Sequence, residues 1–255
     1  MPRYLFVQNY LITPLLLTFA LLPSFSPANT ICNEQLPDES NRNVKTQQLP
    51  LDTVVRIASP LREVQTSPYY GHGSGVLVRF RGETGFVLSA SHVTAGHPLV
   101  LVSINTHNDR RLFWAQFVKE DKTIDLSLYK IIDEGEIHKS AELFEGENEI
   151  YNQTLFTVGY PIELSSLSKA ELFPQSKLIV RKQHLLGTSK YLGLGLKIKP
   201  LVMSDCIETG LSGGPVFDDE GRIFGINHST DRYKNSASTV NGYIVSSSYI
   251  AEFLE

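Results

Sequence analysis

Ser74-Gly75-Val76-Leu77-Val78-Arg79-Phe80 and, after a break containing Gly82, Gly85-Phe86-Val87-Leu88-Ser89 read as two short β-strands in succession. Both are rich in branched and aromatic residues and are bounded by glycine, the pattern expected of strands rather than helices. Working outward, Leu99 to Ile104, Phe113 to Val118 and Leu126 to Ile132 repeat the pattern, split by Gly, Asn, Asp and Lys. Short strands at such regular spacing predict an all-β sandwich or barrel and argue against alternating strands and helices. In the strand after Ile124, Leu126 and Leu128 share one face, and Asp125 and Ser127 take the other. Toward the C-terminus, Leu178 to Val180, Leu194 to Ile198 and Tyr243 to Val245 are further expected strands. Ser165 to Leu172 fits a short helix or a surface loop, and Ser247 to Leu254 a short final helix.

The chemistry is concentrated in Gly210-Leu211-Ser212-Gly213-Gly214-Pro215. Glycines on both sides of a serine free the backbone to turn its amides toward one point beside the hydroxyl. A serine oxygen attacking a carbonyl needs such donors, because the tetrahedral intermediate carries an oxyanion. It also needs a base and an orienting carboxylate. Upstream, Leu88-Ser89-Ala90-Ser91-His92-Val93 ends a strand in small residues and a histidine, and Asp125 opens another strand. Each piece has an ordinary structural reading by itself; the three in the order His, Asp, Ser are harder to explain as coincidence. Gly-x-Ser-x-Gly also fits the nucleophile elbow of α/β-hydrolases. That fold places its histidine last, after an acid, and only 43 residues follow Ser212.

With these residues in hand, the chain resembles the trypsin-like serine proteases of the two-barrel chymotrypsin fold, nearest the bacterial Deg/HtrA type. The matching stretches are Gly73 to Val78, Leu88 to Val93, Asp125 to Leu128, Val158-Gly159-Tyr160-Pro161, Gly210 to Pro215 and Gly225-Ile226-Asn227. The resemblance spans about residues 51–255. It implies an all-β fold of two six-stranded antiparallel β-barrels with a short C-terminal helix, and a serine endopeptidase acting through an acyl-enzyme. His92 would be general base, Asp125 its orienter and Ser212 the nucleophile, with an oxyanion hole from the backbone N–H groups of Gly210 and Ser212. Substrate-binding positions implied are Cys206, Ile226, Asn227 and His228, and the expected preference is a small or medium aliphatic side chain. Leu211 stands where zymogens of this kind have an aspartate, so activation by an N-terminal ion pair is not expected. The alternatives are a protease-fold binding or chaperone-like protein with little turnover, and a serine esterase at the same site.

The first residues carry a separate message. Arg3, the apolar stretch Leu11 to Leu22 and the small residues Ser26-Pro27-Ala28 form the pattern of a secretory signal peptide. The expected organisation is signal peptide 1–28, N-terminal tail 29–50 and protease domain 51–255, exported to a periplasm or the extracellular space. No further peptide-binding domain fits after the protease domain, and no stable membrane insertion is expected after signal cleavage. In an oxidising compartment Cys32 and Cys206 would tend to pair; the competing arrangement is a free Cys206 and an unpaired tail cysteine. The formal net charge of −4 gives no case for nucleic acid; protein or peptide substrates are the partners that the resemblance implies. His92 and His97 lack the glutamate of a zinc-protease helix, so neither a catalytic metal nor a cofactor is expected.

Overall fold

The computed structural model describes residues 49–60, 70–105, 110–132, 139–146, 153–162, 177–189, 196–204, 207–230 and 241–255. Among them, strands β1 (Val54–Pro60), β2 (Tyr70–Phe80), β3 (Glu83–Ala90), β4 (Leu99–Asn105), β5 (Arg110–Asp121) and β6 (Leu126–Ile131) close one barrel in the order β1-β2-β3-β6-β5-β4. Strands β7 (Thr154–Gly159), β8 (Ile179–Thr188), β9 (Leu201–Met203), β10 (Pro215–Phe217), β11 (Ile223–Thr230) and β12 (Gly242–Ser246) close a second, ordered β10-β11-β12-β9-β8-β7. Every ladder in both barrels is antiparallel. The fold is the expected pair of six-stranded barrels.

Side-chain alternation along each strand explains why many runs look uniformly apolar. Leu77, Val87, Tyr129 and Ile131 fill the first barrel with Val55, Ile57, Val100 and Val102. The opposite faces of the same strands, Val76, Val78, Leu88, Leu126 and Leu128, pack in one cluster with Phe156, Val158, Phe217, Ile226 and Val245 of the second barrel. Leu155, Leu185, Met203, Val216, Phe224 and Ile244 fill the second barrel. A strand buried on both faces cannot show a polar side, so its period of two is lost from the hydropathy pattern.

A 3-10 turn (Leu51–Thr53) and two short α-helices complete the regular structure of the described residues. A single turn, α1 (Ser91–Thr94), follows β3, and α2 (Ser247–Leu254) closes the chain by burying Ile250 and Phe253 in the cluster shared by the two barrels. No helix among the described residues is long and apolar enough to cross a membrane.

The expected strand at Leu194 to Ile198 is corrected where it can be seen. Residues 196–198 lie outside any ladder, with a bend at 197–198, yet Leu196 and Ile198 are buried in the shared cluster. Between them the Lys197 N–H donates to the Thr123 carbonyl at 2.8 Å. Alternating burial there comes from loop anchoring, which mimics strand periodicity. The expected strand at Leu178 to Val180 extends instead through Thr188, because Gln183 and Leu185 turn inward while Lys182 stays exposed. The segments 1–28, 29–48 and 165–172, together with Cys32 and Cys206, lie outside the described residues.

Candidate active site

The histidine and aspartate are brought together by the end of β3 and the start of β6, which pair from Phe86–Lys130 to Ala90–Leu126. α1 leaves β3 at that point, and its first amide, Ser91 N–H, donates to the Asp125 carbonyl at 3.1 Å. The next amide, His92 N–H, donates to Asp125 Oδ1 at 2.9 Å, and His92 Nδ1 meets Asp125 Oδ2 at 2.7 Å. One carboxylate thus holds both the backbone and the ring of His92. Asp125 takes a left-handed conformation, φ 59°, which aspartate tolerates better than most residues. The carboxylate is buried and the His92 side chain about half exposed, at 47%. Burial alone would raise the Asp125 pKa. Hydrogen bonds from His228 and His92, and the charges of both, outweigh it and hold the carboxyl down to about 2.

The serine lies on the loop between β9 and β10. The loop's amides divide into two sets. Those of Leu211, Gly213 and Gly214 donate to the carbonyls of Glu208, Asn227 and Leu211 at 3.0, 2.8 and 2.9 Å. The N–H groups of Gly210 and Ser212, the expected oxyanion donors, have no acceptor among the described residues. Gly213 has φ 81°, and a Cβ there would collide with Ser89 Oγ and the Ser74 carbonyl, so a larger residue would displace the loop. Ser212 Oγ donates weakly, at 3.4 Å, to the main-chain carbonyl of His228.

One side chain that the sequence reading passed over fastens this loop to the first barrel. Ser74, fully buried on β2, donates its hydroxyl to the Gly210 carbonyl at 2.8 Å and accepts from the Tyr160 N–H at 2.9 Å. Its own N–H donates to the Ser212 carbonyl at 2.9 Å, and Ser89 Oγ donates to its carbonyl at 2.8 Å. The available signal was a hydroxyl between two glycines inside an apolar strand. Of the expected substrate-binding residues, Ile226 is fully buried in the shared cluster and Asn227 is fully buried with neither amide atom partnered. His228 is buried too, and its Nδ1 lies 2.5 Å from Asp125 Oδ2. That contact is invisible in sequence, where the two residues stand 103 apart.

A family model described as "Trypsin-like peptidase domain" matches residues 73–226. The chain belongs to this family. A relative in Hahella chejuensis, named a probable periplasmic serine endoprotease DegP-like, is 28% identical over 160 residues. That alignment takes in 61% of this chain and 29% of the relative. The putative serine protease HhoA of Synechocystis is 28% identical over 159 residues, 62% of this chain and 36% of HhoA. The match therefore spans about a third of the length of these relatives. Among solved structures, the MamO protease domain from Magnetospirillum magneticum superposes with a TM-score of 0.61 at 21% identity, covering 80% of this chain and 97% of that one. A serine endoprotease from Yersinia pestis gives 0.59 at 18% identity, over 82% and 63% of the two chains. Both likenesses concern the fold of the family.

Proposed function

We propose that this family member is an exported serine endopeptidase, with residues 51–255 as its protease domain behind a signal peptide 1–28 and a tail 29–50. Ser212 is the nucleophile, His92 the general base and Asp125 the residue that orients the ring. The observation that carries this reading is the double hold of Asp125 on His92. An Nδ1–H donated to the carboxylate leaves the Nε2 lone pair free to accept the proton of Ser212 as it attacks a peptide carbonyl. The same nitrogen then returns the proton to the leaving amine, and water repeats the sequence on the acyl-enzyme. Among the described residues Gly210 and Ser212 keep their N–H groups unspent, which makes them available to an oxyanion. The weak bond from Ser212 Oγ to the His228 carbonyl must break by rotation of the side chain before attack. Catalytic hydrogen bonds are often loose until substrate is bound, which is compatible with that geometry. The DegP-like relatives named as periplasmic support export to that compartment.

The test is labelling with a fluorophosphonate, followed by mapping of the adduct. An adduct at Ser212 that disappears in Ser212→Ala is the expected result. A folded protein that takes no label would overturn the endopeptidase reading in favour of a binding role for the same fold.

A further inference from the structure

Acyl transfer uses one imidazole on the orienting carboxylate, yet here two are aimed at it. Nδ1 of His228 approaches Asp125 Oδ2 at 2.5 Å, the same oxygen that Nδ1 of His92 meets at 2.7 Å. The two rings stand edge to face with centroids 5.8 Å apart. One donor atom from each of the three residues lies within 4.8 Å of the others. Two imidazole nitrogens and a carboxylate oxygen form a donor set that suits zinc and related divalent transition ions. Bonds of about 2.0–2.1 Å around a tetrahedral ion set ligand atoms about 3.3 Å apart, so each N–O contact has to open by less than about 1 Å. The half-exposed His92 side chain gives both the freedom to move and the route in from solvent, while His228 and Asp125 form a buried floor.

We infer that His92, Asp125 and His228 form an inhibitory site for a divalent transition-metal ion of the zinc class. The ion takes Nδ1 of both histidines and Oδ2 of the carboxylate, and a water completes its shell. The binding itself needs only these three side chains; its consequence rests on the reading of His92 as general base. In the active tautomer the His92 proton sits on Nδ1 and Nε2 holds a lone pair. Coordination through Nδ1 uses that nitrogen's lone pair, so the proton resides on Nε2 instead. His228 makes the same exchange, and no electron changes hands. A ring protonated at Nε2 and bound at Nδ1 cannot accept the serine proton, and the enzyme stays off until the ion leaves. His228 is the residue that turns an ordinary histidine–aspartate pair into a three-ligand site.

The probe is Co2+, followed by its visible ligand-field absorption, in Ser212→Ala protein that cannot digest itself. Strong bands of four- or five-coordinate Co2+, displaced by added Zn2+ and lost in the double variant with His228→Gln, are expected. In parallel, Zn2+ is titrated against peptide hydrolysis by protein with Ser212 intact, each variant being normalised to its own metal-free rate. Inhibition reversed by a chelator is expected, and His228→Gln should raise the half-inhibiting Zn2+ concentration at least about tenfold, since loss of even an outer-shell partner costs 10–100-fold. Absence of the Co2+ bands, or equal Zn2+ potency with and without His228, overturns the site. The Co2+ readout does not depend on turnover. Bands in a protein that hydrolyses nothing would leave the metal site standing and sink the endopeptidase reading, and the reverse result would do the opposite.

Discussion

The two barrels share a strand count and differ in the use made of buried side-chain hydrogen bonds. In the first, Ser59 Oγ donates to the Val93 carbonyl at 2.7 Å, and Thr94 Oγ1 donates to Ser127 Oγ at 3.1 Å. Both bonds brace α1, the turn that carries His92. In the second, Thr157 lies on the face of β7 shared with Leu155, and Gln183 on the face of β8 shared with Leu185. Asn227 sits opposite Ile244. The Thr157 hydroxyl and both side-chain amides are buried without a partner. Such groups each cost about 1–3 kcal/mol. Two of this barrel's strands, β9 and β10, are only three residues long, whereas β5 runs for twelve. The first barrel also buries polar atoms that find no hydrogen-bond partner among the described residues, His72 Nδ1 and Glu120 Oε2 among them, but its hydroxyls brace the turn that carries His92. The second leaves hydrogen-bonding capacity unspent inside it, and Asn227, whose main chain bonds to Gly213 and Gly214, places part of that capacity directly behind the loop that carries Ser212.

Substitutions can break this contrast, beginning with the largest effect. Asp125→Asn keeps the size of the side chain but removes the charge that, in the proposed mechanism, selects the His92 tautomer, and turnover should then fall about 10⁴-fold with the fold retained. A loss below tenfold, with an unchanged circular dichroism spectrum, would mean that the fixed geometry of the first barrel is not what drives the reaction.

Ser74→Ala removes the hydroxyl that donates to the Gly210 carbonyl and accepts from the Tyr160 N–H, and leaves only the main-chain bond from Ser74 N–H to the Ser212 carbonyl. A cost of about 1–3 kcal/mol, read from the urea midpoint, is expected, with lower turnover from a loosened serine loop. A change in stability without a change in turnover would separate the two effects.

Acid should act through the same aspartate. Its folded pKa, held down to about 2, lies below the ordinary aspartate value of 3.8. The corresponding stability, roughly 2 kcal/mol, is therefore present above about pH 4 and lost as pH falls toward 2. Denaturant unfolding across that range should show the decline, and Asp125→Asn should flatten it.

The smallest effect tests the contrast most directly. Thr157→Val should be neutral or slightly stabilising, because it deletes an unpartnered hydroxyl at nearly constant volume, whereas Ser59→Ala should cost about 1 kcal/mol. Equal losses at both positions would show that the interior of the second barrel is satisfied after all.

The sequence alone determined the all-β class, five of the six strand runs of the first barrel (all but β1), the final strand and helix, and the glycine-framed serine. These features are local: side-chain period, turn chemistry and glycine content act over a few residues and survive in a one-dimensional reading. Only the tertiary structure decided that Leu194 to Ile198 ends in anchored bends, that β8 continues through its charged residues, and that Ser74 fastens the serine loop. It also decided that His228 shares the carboxylate of Asp125. Each of these depends on which backbone or side chain arrives from more than seventy residues away, or on a face buried by another segment. A hydroxyl or an imidazole in a strand carries no mark of its partner; barrel closure supplies the partner, and with it the chemistry.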